Sequence, residues 1–361
     1  MPELEAIEQS GIFTNYGPVN TELEAALTEQ CFSGAGGCVT MNNATVGLIL
    51  AVREAILGRE GRRYAVLPSF TFAATAHAAL WSGLTPLFCD IDGETWALSE
   101  DRVEALLKSR AGEIACVIPY APFGSCIDLG FYERIAREYD VGVVVDAAPS
   151  LGSLDSNGKG FGSGCAHAVV FSMHATKLFG TAEAGVIHCG DPERLAKLRA
   201  MGNFGFRQPR LSELPGLNAK LSEVGALLAV ERLRDFDRLV ADHVRQAETY
   251  KSVLHGLTFQ RTVGKRIARM FMPVLLPSGT ERRRAAIVDG MLRKGIQLGQ
   301  YFSPHLWEHP YFRGAAEADT LDVTDEVASR VLSLPMADGM SGEELEFVCA
   351  ALIETMEHAV A

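Results

Sequence analysis

From about residue 40 to residue 235, short apolar runs alternate with stretches whose apolar positions recur at helical spacing. The Thr45 to Leu57 stretch has that spacing and predicts a helix. Tyr64-Ala65-Val66-Leu67-Pro68 reads as a strand, and Ala73 to Trp81 as the helix after it. Pro86 to Asp90 is strand-like, and Ser99 to Lys108 is a helix with Ser99 as N-cap. Ala115 to Pro119 is a strand and Asp128 to Glu138 a helix. Three more apolar runs follow: Val141 to Val145, which delivers Asp146; Ala168 to Met173; and Gly185 to His188. Strands that alternate with helices imply right-handed βαβ units and a mostly parallel sheet covered on both faces. Ligands of such sheets gather at the carboxyl ends of the strands.

The pattern changes after Ser222. A helical region begins there and runs through Tyr250. A domain junction near 235 divides the chain into a large unit, 1–235, and a smaller one, 236–361. The second unit mixes a short strand (Met270 to Val274) with helices (Arg282 to Lys294, Gly342 to His358), which predicts an α+β domain. The first 30 or so residues, with Asn15-Tyr16-Gly17-Pro18, read as an arm and helix packed on either unit. No internal repeat or low-complexity tract interrupts the chain.

The composition is globular, with 48% hydrophobic and 22% charged residues in 361. A net charge of -12 argues against nucleic-acid or anionic-membrane binding, which would need a basic face. It leaves room for a small anion, because a few local amides and hydroxyls bind phosphate inside an acidic protein. The eight cysteines form no CxxC pair, so no zinc site is expected; Cys89 and Cys116 sit in apolar runs as buried thiols. No apolar stretch reaches the length of a membrane span, and the acidic N-terminus lacks an apolar signal core. A reducing cytoplasm is the expected location.

Chemistry concentrates at the ends of the predicted strands. Lys177 opens a turn-like stretch after the run ending at Met173, and Asp146 ends another run of the same sheet. A lysine and an acid so placed are what pyridoxal phosphate (PLP) requires: the lysine forms a Schiff base with its aldehyde, and the acid keeps the pyridine nitrogen protonated. A buried carboxylate needs a partner, so Asp146 either meets that nitrogen or caps the next turn. Ser172 either donates to a phosphate or bonds the backbone. Asn43-Ala44-Thr45 precedes a helix, where it either cradles a phosphate or caps the helix. Phe72 follows a strand and either stacks on a planar ring or packs in the core.

Taken in order, NATVGL, PSFTFAATA, VVVDAA, FSMHATKLF and LNAKLSEVGA resemble the DegT/DnrJ/EryC1/StrS aminotransferases. The likeness runs over nearly the whole chain and includes Gly295-Ile296, Tyr301 to His305 and Leu332 to Pro335. It implies the type I (aspartate-aminotransferase-like) PLP fold and amination of keto sugars, usually nucleotide-linked, or of cyclitols. Residue by residue, it implies Lys177 as the Schiff-base lysine and proton carrier, Asp146 on the pyridine nitrogen, and Phe72 on the ring. Ala44, Thr45 and Ser172 match the phosphate contacts. Asn218 matches an asparagine that reaches the neighbouring subunit's cofactor, which implies a homodimer with shared sites. The implied partners are a nucleotide-sugar substrate and an amino-acid donor, glutamate. The His-Ala-Thr-Lys form resembles enzymes acting at C4 of 4-keto-6-deoxy sugars, with amination at C3 left open beside it. A cyclitol substrate, a sugar dehydratase and a non-catalytic regulator of the same fold are the alternatives; the dehydratase branch normally carries His where Lys177 stands.

The chain departs from the family pattern in four places. Ala44 stands for a usual Gly, Gly47 for Ala, and Ala184 for a common Gly after the lysine. Pro149 stands where Gln or His would contact the cofactor hydroxyl, and it can donate nothing. His174, three residues before Lys177, either assists proton transfer as a base or, the favoured reading, shapes the turn or touches substrate. Glu183, His305 and His309 are candidates for substrate contact.

Overall fold

The computed structural model describes residues 2–110 and 112–360. Its main sheet has eight strands in the order β1-β7-β6-β5-β4-β2-β3-β12. In chain order these are β1 (Gly37–Met41), β2 (Tyr64–Pro68), β3 (Thr85–Cys89), β4 (Ile114–Val117), β5 (Gly142–Asp146), β6 (Ala168–Ser172), β7 (Gly185–Cys189) and the late β12 (Glu317–Ala318). Only β7 runs against its neighbours β1 and β6, so the sheet is mostly parallel, as expected. The central strands are buried on both faces because helices cover both: β2, β4, β5, β6 and β7 are buried at every position.

The covering helices come from the same half of the chain. They are α2 (Pro18–Phe32), α3 (Ala44–Ala55), α4 (Ala73–Trp81), α5 (Glu100–Arg110), α6 (Leu129–Glu138) and α7 (Pro192–Met201), while α1 (Pro2–Ser10) packs on α8 (Glu223–Arg234). The predicted helix starts in this half of the chain hold to within a residue. Asp128 caps α6 through the amides of Gly130 and Phe131, and Asn43 caps α3 through Val46 N at 2.9 Å. Ser99 Oγ lies 3.5 Å from Arg102 N, at the outer limit of a bond, and α5 starts at Glu100. The N-terminal segment does form helices: α2 packs along β1 and along α8 (Glu223–Arg234). The buried carboxylate of Glu223 accepts from Val19 N and Asn20 N, the first turn of α2, where the helix dipole favours negative charge.

The long helical region breaks once, at Asp235, into α8 and α9 (Phe236–Val253). A two-stranded ribbon, β8 (Phe206–Arg207) with β9 (Leu211–Ser212), precedes it. Beyond α9, β10 (Thr258–Phe259), β11 (Phe271–Leu275) and β13 (Val331–Pro335) form an antiparallel sheet. Helices α10 (Arg284–Arg293) and α13 (Gly342–Val360) pack against each other beside it. Two short helices, α11 (Pro310–Ala315) and α12 (Asp322–Arg330), flank β12 (Glu317–Ala318). That two-residue strand leaves the second unit and pairs in parallel with β3. The proposed division at 235/236 therefore has one late segment crossing back to the first sheet. No helix among the described residues is long and apolar enough to cross a membrane.

Candidate active site

A cavity of about 560 Å³ opens at the carboxyl ends of β2, β5 and β6. Its size suits a small molecule. The sequence candidates Ala44, Thr45, Phe72, Asp146, Ser172 and Lys177 all line it. They converge because parallel strands end on one edge, and each residue follows or ends a strand.

Asp146, the last residue of β5, is 2% exposed. Its Oδ2 accepts from Thr75 Oγ1 at 2.6 Å and its Oδ1 from Ala148 N at 3.1 Å. It thus caps the following turn and still faces the cavity. Burial pushes its pKa up; the Thr75 hydroxyl, the Ala148 amide and the Lys177 ammonium oppose this. Lys177 sits on a turn closed by its own amide to His174 O at 2.8 Å. Burial holds its ammonium below the usual lysine range, while the Asp146 carboxylate pulls the other way. A lysine and a carboxylate that feel each other at the floor of a partly closed cavity form a polar pair within an apolar frame.

Phe72 is 62% exposed, unusual for phenylalanine, and presents its ring to the cavity. Ser172 Oγ accepts from His174 N at 3.2 Å, which leaves its hydroxyl proton uncommitted. At the start of α3, the Asn43 side chain takes only the Val46 amide and Gly47 N bonds Asn43 O. Among the described residues, no group accepts from the amides of Ala44 and Thr45. Open amides at a helix start beside two hydroxyls make an anion cradle. Gly185 stands behind it: a Cβ there would come within 2.6 Å of Ala44 N. The donor set therefore fits PLP, with an anion cradle for its phosphate, an exposed aromatic face, a buried acid and a lysine.

Other candidates fall elsewhere. Asn218 is exposed, bonds Lys220 Nζ at 2.6 Å and stays out of this cavity within its own chain. Pro149 is buried beside Asp146 and does not line the cavity either. His174 does shape the turn: Thr176 N donates to its Nδ1, and its Nε2 lies 3.5 Å from Glu183 Oε1 at the cavity wall. His305 is turned away from the cavity, bonded to Ser69 and Asp325, and His309 bonds Pro304 O.

Several residues of the site went unassigned from sequence: Thr75, buried behind the cavity and bonded to Asp146, and a set of aromatic wall residues. Thr75 lies one helical turn past Phe72, and its hydroxyl in an otherwise apolar stretch was a usable signal. Tyr120, Phe123, Phe271, Tyr301 and Phe302 come from three distant segments and carry no local signal. Phe302 packs against Phe70, Tyr120 and Phe123, with ring centroids 5.5 to 6.0 Å apart, so the aromatic wall is one connected cluster.

The sequence profile of the DegT/DnrJ/EryC1/StrS aminotransferase family matches residues 1–353. A dTDP-4-amino-4,6-dideoxy-D-glucose transaminase of Shigella dysenteriae is 30% identical over 358 residues, covering 98% of this chain and 95% of its own. The crystal structure of a candidate PLP-dependent aminotransferase of Bacillus cereus superposes with a TM-score of 0.91 at 34% identity, covering 97% of this chain and 95% of the other. The crystal structure of DesI in the presence of its TDP-sugar product gives a TM-score of 0.86 at 28% identity, covering 99% of this chain and 90% of the other.

Proposed function

The chain belongs to the DegT/DnrJ/EryC1/StrS family of PLP-dependent aminotransferases, and from that premise we propose that it moves an amino group from glutamate to a nucleotide-linked keto-deoxy sugar. The proposed position is C4 of a 4-keto-6-deoxy sugar. The observation that carries the reading is the meeting of Lys177, Asp146, Phe72 and the open α3 amides in one cavity. The names of the Shigella relative and of DesI support the substrate class.

When bound, PLP supplies an aldehyde that takes up the amino nitrogen and a ring that draws electrons from the carbon bearing it. The chain supplies the rest. Lys177 Nζ is the proposed attachment point and afterwards moves the proton at the reacting carbon. Its depressed pKa favours the neutral amine that this task needs. Asp146 holds a proton on the ring nitrogen, with Thr75 Oγ1 and Ala148 N fixing the carboxylate's orientation. The Phe72 face backs the ring. The amides of Ala44 and Thr45, with the Ser172 hydroxyl, hold the phosphate at the positive end of α3. The Tyr301, Phe302 and Phe123 wall keeps water from the reacting carbon. Asn218, exposed on its own chain, reaches the partner's site in a homodimer.

The test is a pair of half-reactions. Cofactor-loaded protein given excess glutamate releases one 2-oxoglutarate per site, read by mass spectrometry. A nucleotide-linked 4-keto-6-deoxyhexose then returns as the amino sugar. Release of no keto acid from glutamate or glutamine would overturn the donor assignment; release without amination of any nucleotide-linked keto sugar would overturn the substrate class.

A further inference from the structure

His305 joins two separate stretches of chain that wall the site. It is 1% exposed. Its Nδ1 lies 2.7 Å from Ser69 Oγ and its Nε2 lies 2.8 Å from Asp325 Oδ1. A carboxylate oxygen only accepts, so Nε2 carries a proton. In the neutral ring, Nδ1 then accepts the Ser69 hydroxyl proton. The same Ser69 Oγ accepts from Trp307 N at 2.8 Å, and Leu306 N donates to Ser69 O at 3.0 Å. Glu308 Oε2 accepts from the His305 amide at 3.1 Å. Four bonds therefore bind one serine, one histidine and the turn after it, and a fifth anchors the ring to Asp325.

The order resembles a serine, histidine, aspartate relay, yet Ser69 is 0% exposed and does not line the site cavity. Its Oγ is committed on both sides. The arrangement is a fastening, and what it fastens is informative. Ser69 directly follows β2, and Phe72 lies three residues further on. His305 follows Tyr301 and Phe302 on a stretch with no helix or strand. Phe72, Tyr301 and Phe302 all line the site cavity. A single backbone bond, Leu306 N to Ser69 O, joins these two irregular segments, so the spacing of the two walls rests on it together with the side-chain bonds of Ser69 and His305.

We propose that His305 is a positioning residue of the aminotransferase site. It sets the distance between the Phe72 wall and the Tyr301–Phe302 wall by tying Ser69 to the segment after Phe302. Asp325 holds the imidazole in the orientation and tautomer that Ser69 requires. The proposal rests on the functional reading above, because it is the cofactor and its substrates that occupy the gap. A gap that is wrong by an ångström misplaces a reacting group and costs roughly a hundredfold at worst.

The test uses the full chain as holoenzyme. His305→Ala, Asp325→Ala and Asp325→Asn are compared with the parent for the rate of PLP loss on dilution, for kcat and KM of the glutamate half-reaction, and for thermal midpoint. Asp325 is 67% exposed, so its truncation leaves the core packed even where His305→Ala fails to fold. The expected result for Asp325→Ala and His305→Ala is faster PLP loss and a kcat/KM lower by roughly tenfold at a temperature where the protein stays folded. Asp325→Asn keeps an acceptor for Nε2 and is expected to stay close to the parent. A lower thermal midpoint with unchanged PLP loss and unchanged kcat/KM would overturn the proposal, leaving a purely structural fastening. So would Asp325→Asn failing as badly as Asp325→Ala, since the bond would then not be what matters. A parent protein that holds PLP but converts no donor would instead count against the functional reading, and PLP loss would still report on His305.

Discussion

Asp146 answers to two opposing demands. A carboxylate with 2% exposure is costly to keep charged, yet the proposed role needs it charged. Its folded-state pKa is raised above the ordinary 3.8, so the folded protein holds this proton to higher pH than the unfolded chain does. The favourable contribution is then complete below about pH 4 and is lost as pH rises through the raised value. Asp146→Asn is accordingly expected to raise the melting temperature of the cofactor-free protein at pH 7. The two proteins should converge below pH 4 in a series of thermal melts, and the variant should retain PLP poorly. A variant no more stable than the parent at neutral pH would mean that Thr75, Ala148 and Lys177 already offset the burial. Lys177→Ala should abolish both half-reactions and leave the circular dichroism spectrum intact; substantial turnover would remove its proposed role. Asp146, Ser172 and Lys177 were legible in the sequence because a polar residue that ends an apolar run stands out. Thr75 and Tyr120 were not, because what makes them matter is a carboxylate 71 residues away in one case and a cluster of distant rings in the other.

At the scale of elements, the start of α3 is the part most exposed to small changes. Its cap is one side-chain bond, so Asn43→Ala should lower stability by about 1 kcal/mol in chemical denaturation. It should also loosen phosphate binding, because the first amides of α3 would lose their alignment. Gly185→Ala presses from behind: its Cβ would lie 2.6 Å from Ala44 N and 2.7 Å from Asn43 C. Backbone cannot yield as a side-chain tip does, and a loss of about 1–3 kcal/mol is expected, together with weaker PLP retention. Wild-type PLP retention in that variant would show that the strand end moves and the helix does not. The glycine was visible in the sequence as part of a strand, but what it touches depends on β7 pairing with β1, which lay unread next to a glycine-rich turn. Strands of four or five buried residues announced themselves; the two-residue β12 is too short to show any period.

Across the whole molecule, the unexplained candidate is Asn218. It is exposed, and Phe204, Leu211 and Leu217 near it are exposed as well. Exposed apolar side chains around a polar group of proposed function are what a subunit contact would cover. Mixing Lys177→Ala with Asn218→Ala protein should restore activity that neither has alone, since one of the two sites in each mixed dimer would then be intact. No recovery after confirmed subunit exchange would argue against shared sites.

The strand β12 has a consequence for how the protein is made. It closes the β3 edge of the main sheet, yet it is drawn from residues 317 and 318 of 361. A ribosome releases the other seven strands long before this one, so the nascent sheet waits with an open edge while more than a hundred residues follow. That edge is a template for another chain until β12 arrives. The protein should therefore depend on chaperones during synthesis, and a chain ending at 235 should aggregate rather than fold as a smaller enzyme.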